Sequence, residues 1–318
     1  MRSLAKALVL GAIAVMIATS AAAADTAGPI DFESYAPGPV FVQGWTGTPC
    51  AAIDEGVVLN GLNPNAPSSF ETRSFRMSNQ VVSGCFNDAF TPQTTDEAGE
   101  STAKTSAQSG GTRQPYYEAE FTFASFTGGL QPGLNVQVSP DRGDGSRMSF
   151  VRMRHTDTDL ELEFIDVQGV EPPNMPPCQG CANFVTTPLG MFDPKVPHTV
   201  RLTMQFVDGP GNDIVRVFVD GNLVHAGGSW EDYYTLDTES SPTPPDQVSR
   251  AVDSLLIRAS GNAAPSTAGQ RFLFDDVSVT TGPVPADEAG PGSEGGSGPG
   301  AGTSPVAAPV TATPTFTG

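Results

Sequence analysis

Histidine and lysine are scarce in this 318-residue chain, and their scarcity removes several kinds of chemistry. Only His155, His198 and His225 are present, and no Gly-x-Ser-x-Gly turn accompanies them. Nothing therefore marks the activated nucleophile of a serine or cysteine hydrolase, and a zinc site would be short of ligands. Lys6, Lys104 and Lys195 are the only lysines; 16 basic residues against 35 acidic ones give a formal charge of −19. So acidic a chain repels phosphate backbones and anionic headgroups. Nucleic acid is thus not expected as a partner, while neutral sugars, cations and basic partners stay open. Long apolar runs are also missing. The longest, Ala7 to Ile17, is shorter than the ~20 residues of a membrane span, and nothing later in the chain could cross a bilayer.

That early run has the form of an export signal. Arg2 and Lys6 precede it, and Ala22-Ala23-Ala24 closes it before Asp25, so residues 1–24 read as a secretory signal peptide cut near Ala24. Removing it would take the charge from −19 to −21, since two cations leave. A secreted location, extracellular or in the cell envelope, follows. In that setting four cysteines read as two disulfides. Three pairings are possible, and Cys50 with Cys85 and Cys178 with Cys181 is preferred. The Cys178-Gln179-Gly180-Cys181 motif sits among prolines without a helical pattern, which suits a loop staple better than a redox site.

At the other end, residues 282–318 are Gly, Pro, Ser, Ala and Thr with few large apolar side chains. Such a segment cannot bury enough surface to fold, and it reads as a low-complexity tail or linker. Residues 25–281 are left as one domain. No sustained helical period occurs within it, whereas short alternating runs separated by Gly, Pro and Asp recur. They predict strands over Phe70–Arg76, Tyr117–Phe123, Leu134–Val138, Met148–Arg154, Leu160–Val167, Thr199–Val207, Ile214–Val219, Ser254–Arg258 and Phe272–Val279. Asp208-Gly209 and Asp220-Gly221 supply turn chemistry. The expected fold class is all-β, an antiparallel two-sheet β-sandwich of jelly-roll type. The polar stretch Thr91–Pro115 interrupts the plan as a long insertion, and Ser139–Gly145 forms a turn that contains Arg142-Gly143-Asp144.

The most suggestive cluster for binding is Trp230, Asp232, Tyr233 and Tyr234, directly after Gly227-Gly228. Sugar rings offer C–H faces to aromatic side chains and hydroxyls to carboxylates, and the cluster supplies both. A second cluster is Asp159, Glu161 and Glu163. The three acids alternate with Leu160, Leu162 and Phe164, so they share one side of a strand.

Asp31-Phe32-Glu33, the strand His198–Phe206, the arm Val217–Val224 and Phe274-Asp275-Asp276-Val277-Ser278-Val279 together resemble the concanavalin A-like lectin/glucanase superfamily, of the LamG-like kind. The resemblance implies a jelly roll. Its members include lectins, carbohydrate-binding modules, glycoside hydrolases, polysaccharide lyases and adhesion domains. Retaining glucanases among them use a strand reading Glu-x-Asp-x-x-Glu or Glu-x-Asp-x-Glu, with nucleophile and acid flanking the scissile bond; Asp159, Glu161 and Glu163 give Asp-x-Glu-x-Glu, so residue type and order do not carry over. Many members hold calcium where the terminal strands meet, which points to Glu33, Asp275 and Asp276 as oxygen ligands for structural Ca²⁺. The expected function is a secreted, non-catalytic carbohydrate-binding domain. Alternatives are a glycoside hydrolase or polysaccharide lyase, or an adhesive module with a cell-surface or matrix partner.

Overall fold

The computed structural model describes residues 24–48, 55–77, 87–94, 114–141, 149–170, 182–207, 212–230, 233, 252–259 and 271–288. All four cysteines, Asp232, Tyr234 and the Arg-Gly-Asp turn lie outside them, as do the signal segment and most of the polar insertion. The chain divides into a unit over Met1–Val284 and a second over Pro285–Gly318.

The first unit is two antiparallel sheets packed face to face. Its strands are β1 (Asp25–Ile30), β2 (Thr46–Thr48), β3 (Gly56–Leu59), β4 (Arg73–Met77), β5 (Asn87–Phe90), β6 (Tyr116–Ser125), β7 (Asn135–Asp141) and β8 (Phe150–His155). They continue with β9 (Leu160–Val170), β10 (Ala182–Phe192), β11 (His198–Gln205), β12 (Ile214–Val219), β13 (Asn222–Gly227), β14 (Ser254–Ala259) and β15 (Phe272–Gly282). Sheet A runs β13-β12-β11-β6-β15-β4-β3, with β1 also on β15, and sheet B runs β10-β9-β8-β7-β14-β5-β2. The predicted sandwich is therefore correct.

Alternation builds the core. Phe121 and Phe123 on β6, Phe272 and Phe274 on β15 and Phe75 on β4 all point between the sheets and are fully buried. Their rings meet at centroid distances of 5.6 to 6.1 Å across neighbouring strands, and Trp45 stacks on Phe75 at 5.4 Å. Tilted and edge contacts of this kind add to the area term that drives burial. Asp220 and Gly221 both have positive φ, 50° and 76°, and join β12 to β13 as the two-residue turn their sequence predicts.

β15 breaks the alternation once. Phe274 and Val277 both face the core although three positions apart, which a regular strand cannot do. The pairing with β6 shifts between Asp275 and Ser278, and Asp276 adopts a φ of 51°. This bulge is where the sheet absorbs the extra residue, and it sets Asp275-Asp276 against the entering N-terminal segment.

The polypeptide has two strands the alternation pattern did not reveal and that matter for the site. β5 pairs with β14, and β10 forms the outer edge of sheet B beside β9. β10 contains Pro188 and Gly190, residues that weaken a strand pattern in sequence and are tolerated at a sheet edge.

Candidate functional site

The chain leaving β13 turns back onto sheet B. Gly228 N donates to Asp166 Oδ2 at 3.2 Å, and Ser229 donates its hydroxyl to Asp213. A Cβ at Gly227 would stand 2.6 Å from His225 Nε2 and 3.2 Å from Asp166 Oδ2, so a larger residue there has to displace the His225 ring. Trp230 is then laid on the outward side of sheet B. Its Nε1 donates to Ile165 O at 3.1 Å, and its ring meets Phe150 at 5.6 Å and Phe184 at 5.0 Å.

This corrects one expectation about Trp230. Its side chain is 4% exposed, so it anchors the segment and offers no open face to a sugar. Among the described residues the exposed ring of the cluster is Phe184, 48% exposed, with Tyr233 half-buried beside it at 5.6 Å. Phe184 lies within a strand that the sequence pattern obscured, while Tyr233 was recognised.

The acids of β9 emerge on the same outward face. Glu161 lies opposite Arg154 and Glu163 opposite Arg152, and further along β7 Asn135 and Gln137 face those two arginines. Arg152 Nη2 stands 2.6 Å from Glu163 Oε2, while Arg154 Nη2 reaches Glu163 Oε1 at 3.3 Å and also bonds Glu161 Oε2. Both Glu163 oxygens are thus engaged by guanidinium groups, and neither can take or deliver a proton without breaking an ion pair. Asp159 does not join them. It belongs to the β8–β9 turn, where its backbone N bonds Thr156 Oγ1 at 2.9 Å and its carboxylate accepts from the Thr158 hydroxyl. Three acids predicted on one face reduce to two, because the strand begins one residue after Asp159.

Two strands further along the same line, Arg258 of β14 faces Asp88 of β5 and makes a two-pronged contact, Nε to Oδ1 at 2.5 Å and Nη2 to Oδ2 at 2.7 Å. This pair is buried. Charge-assisted and bidentate, it ties β14 to β5 near the β2 end of sheet B.

The outward face of sheet A differs. Thr122 and Thr199 share a hydroxyl contact at 3.0 Å, as do Thr26 and Thr280 at 3.2 Å, and the Phe218 ring is covered by the Arg201 guanidinium 3.9 Å above it. Arg201 also pairs with Glu118 at 3.1 Å, so that face too sets a ring beside paired charges, but Phe218 is half-buried under the guanidinium where Phe184 is exposed.

None of the three histidines reaches the outward face of sheet B. His155 is buried, accepts from Gln131 N at its Nδ1 (2.8 Å), and is pushed down to about 4 by burial. His198 bridges Asp220 at 2.8 Å and the Asp193 carbonyl at 2.9 Å. His225 stacks on Phe164 at 4.7 Å and is also pushed down by burial.

At the bulge, Asp275 is buried and pushed up to about 8, first by burial and then by the charges of Asp276, Asp31 and Glu33; the bond from Asp276 N acts the other way. Glu33 has a different task from the one expected. Its carboxylate accepts from Thr72 N at 2.9 Å, Arg73 N at 2.8 Å and the Thr72 hydroxyl, which pins the entering segment to β4. The Thr72 hydroxyl bond and the backbone bonds hold its carboxyl below the usual range. Among the described residues no three Asp, Glu, His or Cys side chains converge closely enough to form a complete metal cage.

No family model matches this sequence, and no curated protein matches it. Solved structures resemble it at low identity. One is a sialidase, with a TM-score of 0.40 and 10% identity over 75% of this chain and 17% of the sialidase, so the chain spans under a fifth of that protein. An alginate lyase in complex with an alginate trisaccharide gives 0.42 and 8% over 82% of this chain and 98% of the lyase. Peanut lectin with a nine-residue peptide gives 0.33 and 11% over 82% and 97%. All three TM-scores lie below 0.5, at 8 to 11% identity.

Proposed function

We propose that this is an exported, non-catalytic carbohydrate-binding domain whose ligand rests on the outward face of sheet B. The observation that carries the reading is the placement on one face of an exposed aromatic edge, Phe184 with Tyr233, beside the paired charges of Arg152, Arg154, Glu161 and Glu163. Aromatic rings take up the C–H faces of a sugar while guanidinium and carboxylate groups exchange hydrogen bonds with its hydroxyls. Asp232 and Tyr234, which the sequence also offers as ligand contacts, lie outside the described residues. The ion pairs engaging Glu163 favour recognition over acid catalysis by Glu161 and Glu163, because a retaining glycosidase needs one carboxyl free to protonate the leaving oxygen.

Structural calcium belongs to the same reading, with Asp275 and Asp276 as ligands. When bound, the ion would supply the positive charge that the buried Asp275 carboxylate needs and would brace the two terminal strands. Export would allow Cys50, Cys85, Cys178 and Cys181 to pair as disulfides.

A glycan array probed with the intact protein tests this directly, with Phe184→Ala beside the wild type. Reproducible binding that is lost in a folded Phe184→Ala protein is the expected result. Turnover of a polysaccharide abolished by Glu163→Gln would replace the reading with an enzyme, and silence across neutral and acidic glycans would turn it toward an adhesive module with a protein partner.

A further inference from the structure

The β10 edge and the charged square beside it have different chemistry, and their arrangement restricts what can lie there. The outward positions of β10 read Phe184, Thr186, Pro188 and Met191, placed opposite Val167, Ile165, Glu163 and Glu161 of β9. Phe184 is 48% and Met191 69% exposed, and Thr186 and Pro188 are exposed between them. At ~3.3 Å per residue this strip is about 20 Å long. Alongside it lie the two acids, one strand in on β9, and their arginines, two strands in on β8.

The square has no net charge. Arg152 and Arg154 are matched by Glu161 and Glu163, and their side chains are 11 to 42% exposed, within reach of a ligand. A carboxylate-bearing sugar would find each of these arginines already paired with an acid, on a chain of formal charge −19. Hydroxyl groups suit such a surface better, since they accept from guanidinium and donate to carboxylate at once.

We infer that the ligand is a neutral glycan chain laid lengthwise along β9 and β10, its C–H faces on Phe184, Pro188 and Met191 and its hydroxyl edge on the Arg152, Arg154, Glu161 and Glu163 square. This rests on the carbohydrate-binding reading and adds the charge class and direction of the ligand. A chain is required because a single sugar cannot touch both Phe184 and Met191, whose separation spans most of the strip.

Calorimetric titration of the intact protein tests it with neutral glucan, mannan, galactan and xylan oligosaccharides from one to about six units, and with oligoalginate and oligogalacturonate. Affinity should rise with length for one neutral series and change little with salt. Phe184→Ala and Met191→Ala should each weaken it about tenfold, a difference of about 1.4 kcal/mol. Met191 is well exposed, so its variant keeps the fold, and circular dichroism checks that. Salt-sensitive binding of the acidic series alone would overturn the neutral class and leave carbohydrate binding standing. Affinity already complete with one sugar, or Met191→Ala without effect on a neutral chain that binds, would overturn the lengthwise placement. If no oligosaccharide of either series binds a folded protein, the carbohydrate reading falls and this inference with it.

Discussion

Glu161 and Glu163 of β9 and Asp275 and Asp276 of β15 are two pairs of acids that the sandwich treats in opposite ways. On β9, Glu161 and Glu163 are two residues apart, so regular alternation carries both to the outward face, where β8 sets an arginine opposite each. On β15, Asp275 and Asp276 are adjacent and sit in a bulge, and Asp275 is buried with acids as its charged neighbours. A carboxylate with a matched guanidinium is a preformed hydrogen-bonding surface. A buried carboxylate among like charges is an incomplete site that gains most from a cation or a proton.

The largest effect should come from turning a matched acid into an unmatched one. Arg258→Met leaves Asp88 buried without its bidentate partner, and urea unfolding should register a loss of about 3–5 kcal/mol. Adding Asp88→Leu should recover most of it, since replacing both partners removes the stranded charge. If the single variant unfolds at the wild-type midpoint, the pair does not support sheet B.

Asp275 gives the next effect, through pH. Its folded value near 8 lies above the ordinary 3.8, so the folded state binds the proton more tightly than the unfolded one. Its contribution to stability is then fully present below about 3.8 and is lost as pH rises through about 8. In chelator, the melting temperature should fall by about 5 °C between pH 5 and pH 8. Calcium should restore it at pH 8 and do little at pH 5, while Asp275→Asn should flatten both responses. Equal calcium effects in wild type and Asp275→Asn would remove Asp275 from the ligand set.

The smallest change in stability should come from the exposed square. Glu161→Gln removes half of a partly exposed ion pair with Arg154, worth at most about 1 kcal/mol. Glycan affinity should nevertheless drop severalfold, because the hydroxyl acceptor is weakened at the binding face. A large loss of stability with unchanged affinity would place Glu161 in the framework.

Much of the sandwich was legible because its strands alternate cleanly, as in HTVRLTMQ and IVRVFV. The pairing of Arg152 and Arg154 with Glu163 and Glu161 was also legible in principle: FVRMRH and LELEF flank a four-residue turn, and antiparallel register follows from that turn. β10 was hidden because Pro188 and Gly190 interrupt its pattern, and the exposed Phe184 was hidden with it. Trp230 was recognised as part of a cluster, yet sequence cannot say which side of a loop an indole will face; the bond to Ile165 O decides that. Glu33 was read as a ligand from the family resemblance, whereas its hydrogen bonds to Thr72 and Arg73 depend on chain 39 and 40 residues away.

The proline of β10 has one more consequence. A sheet's last strand ordinarily exposes a row of amides on which another chain can grow strand by strand, the first step toward fibres. Here Pro188 removes one donor, and the register slips between it and Gly190, whose φ is 141°. The ladder is interrupted midway along its length. An interrupted ladder of this kind lets a long apolar margin stay open to solvent while offering another strand a poorer template along its length.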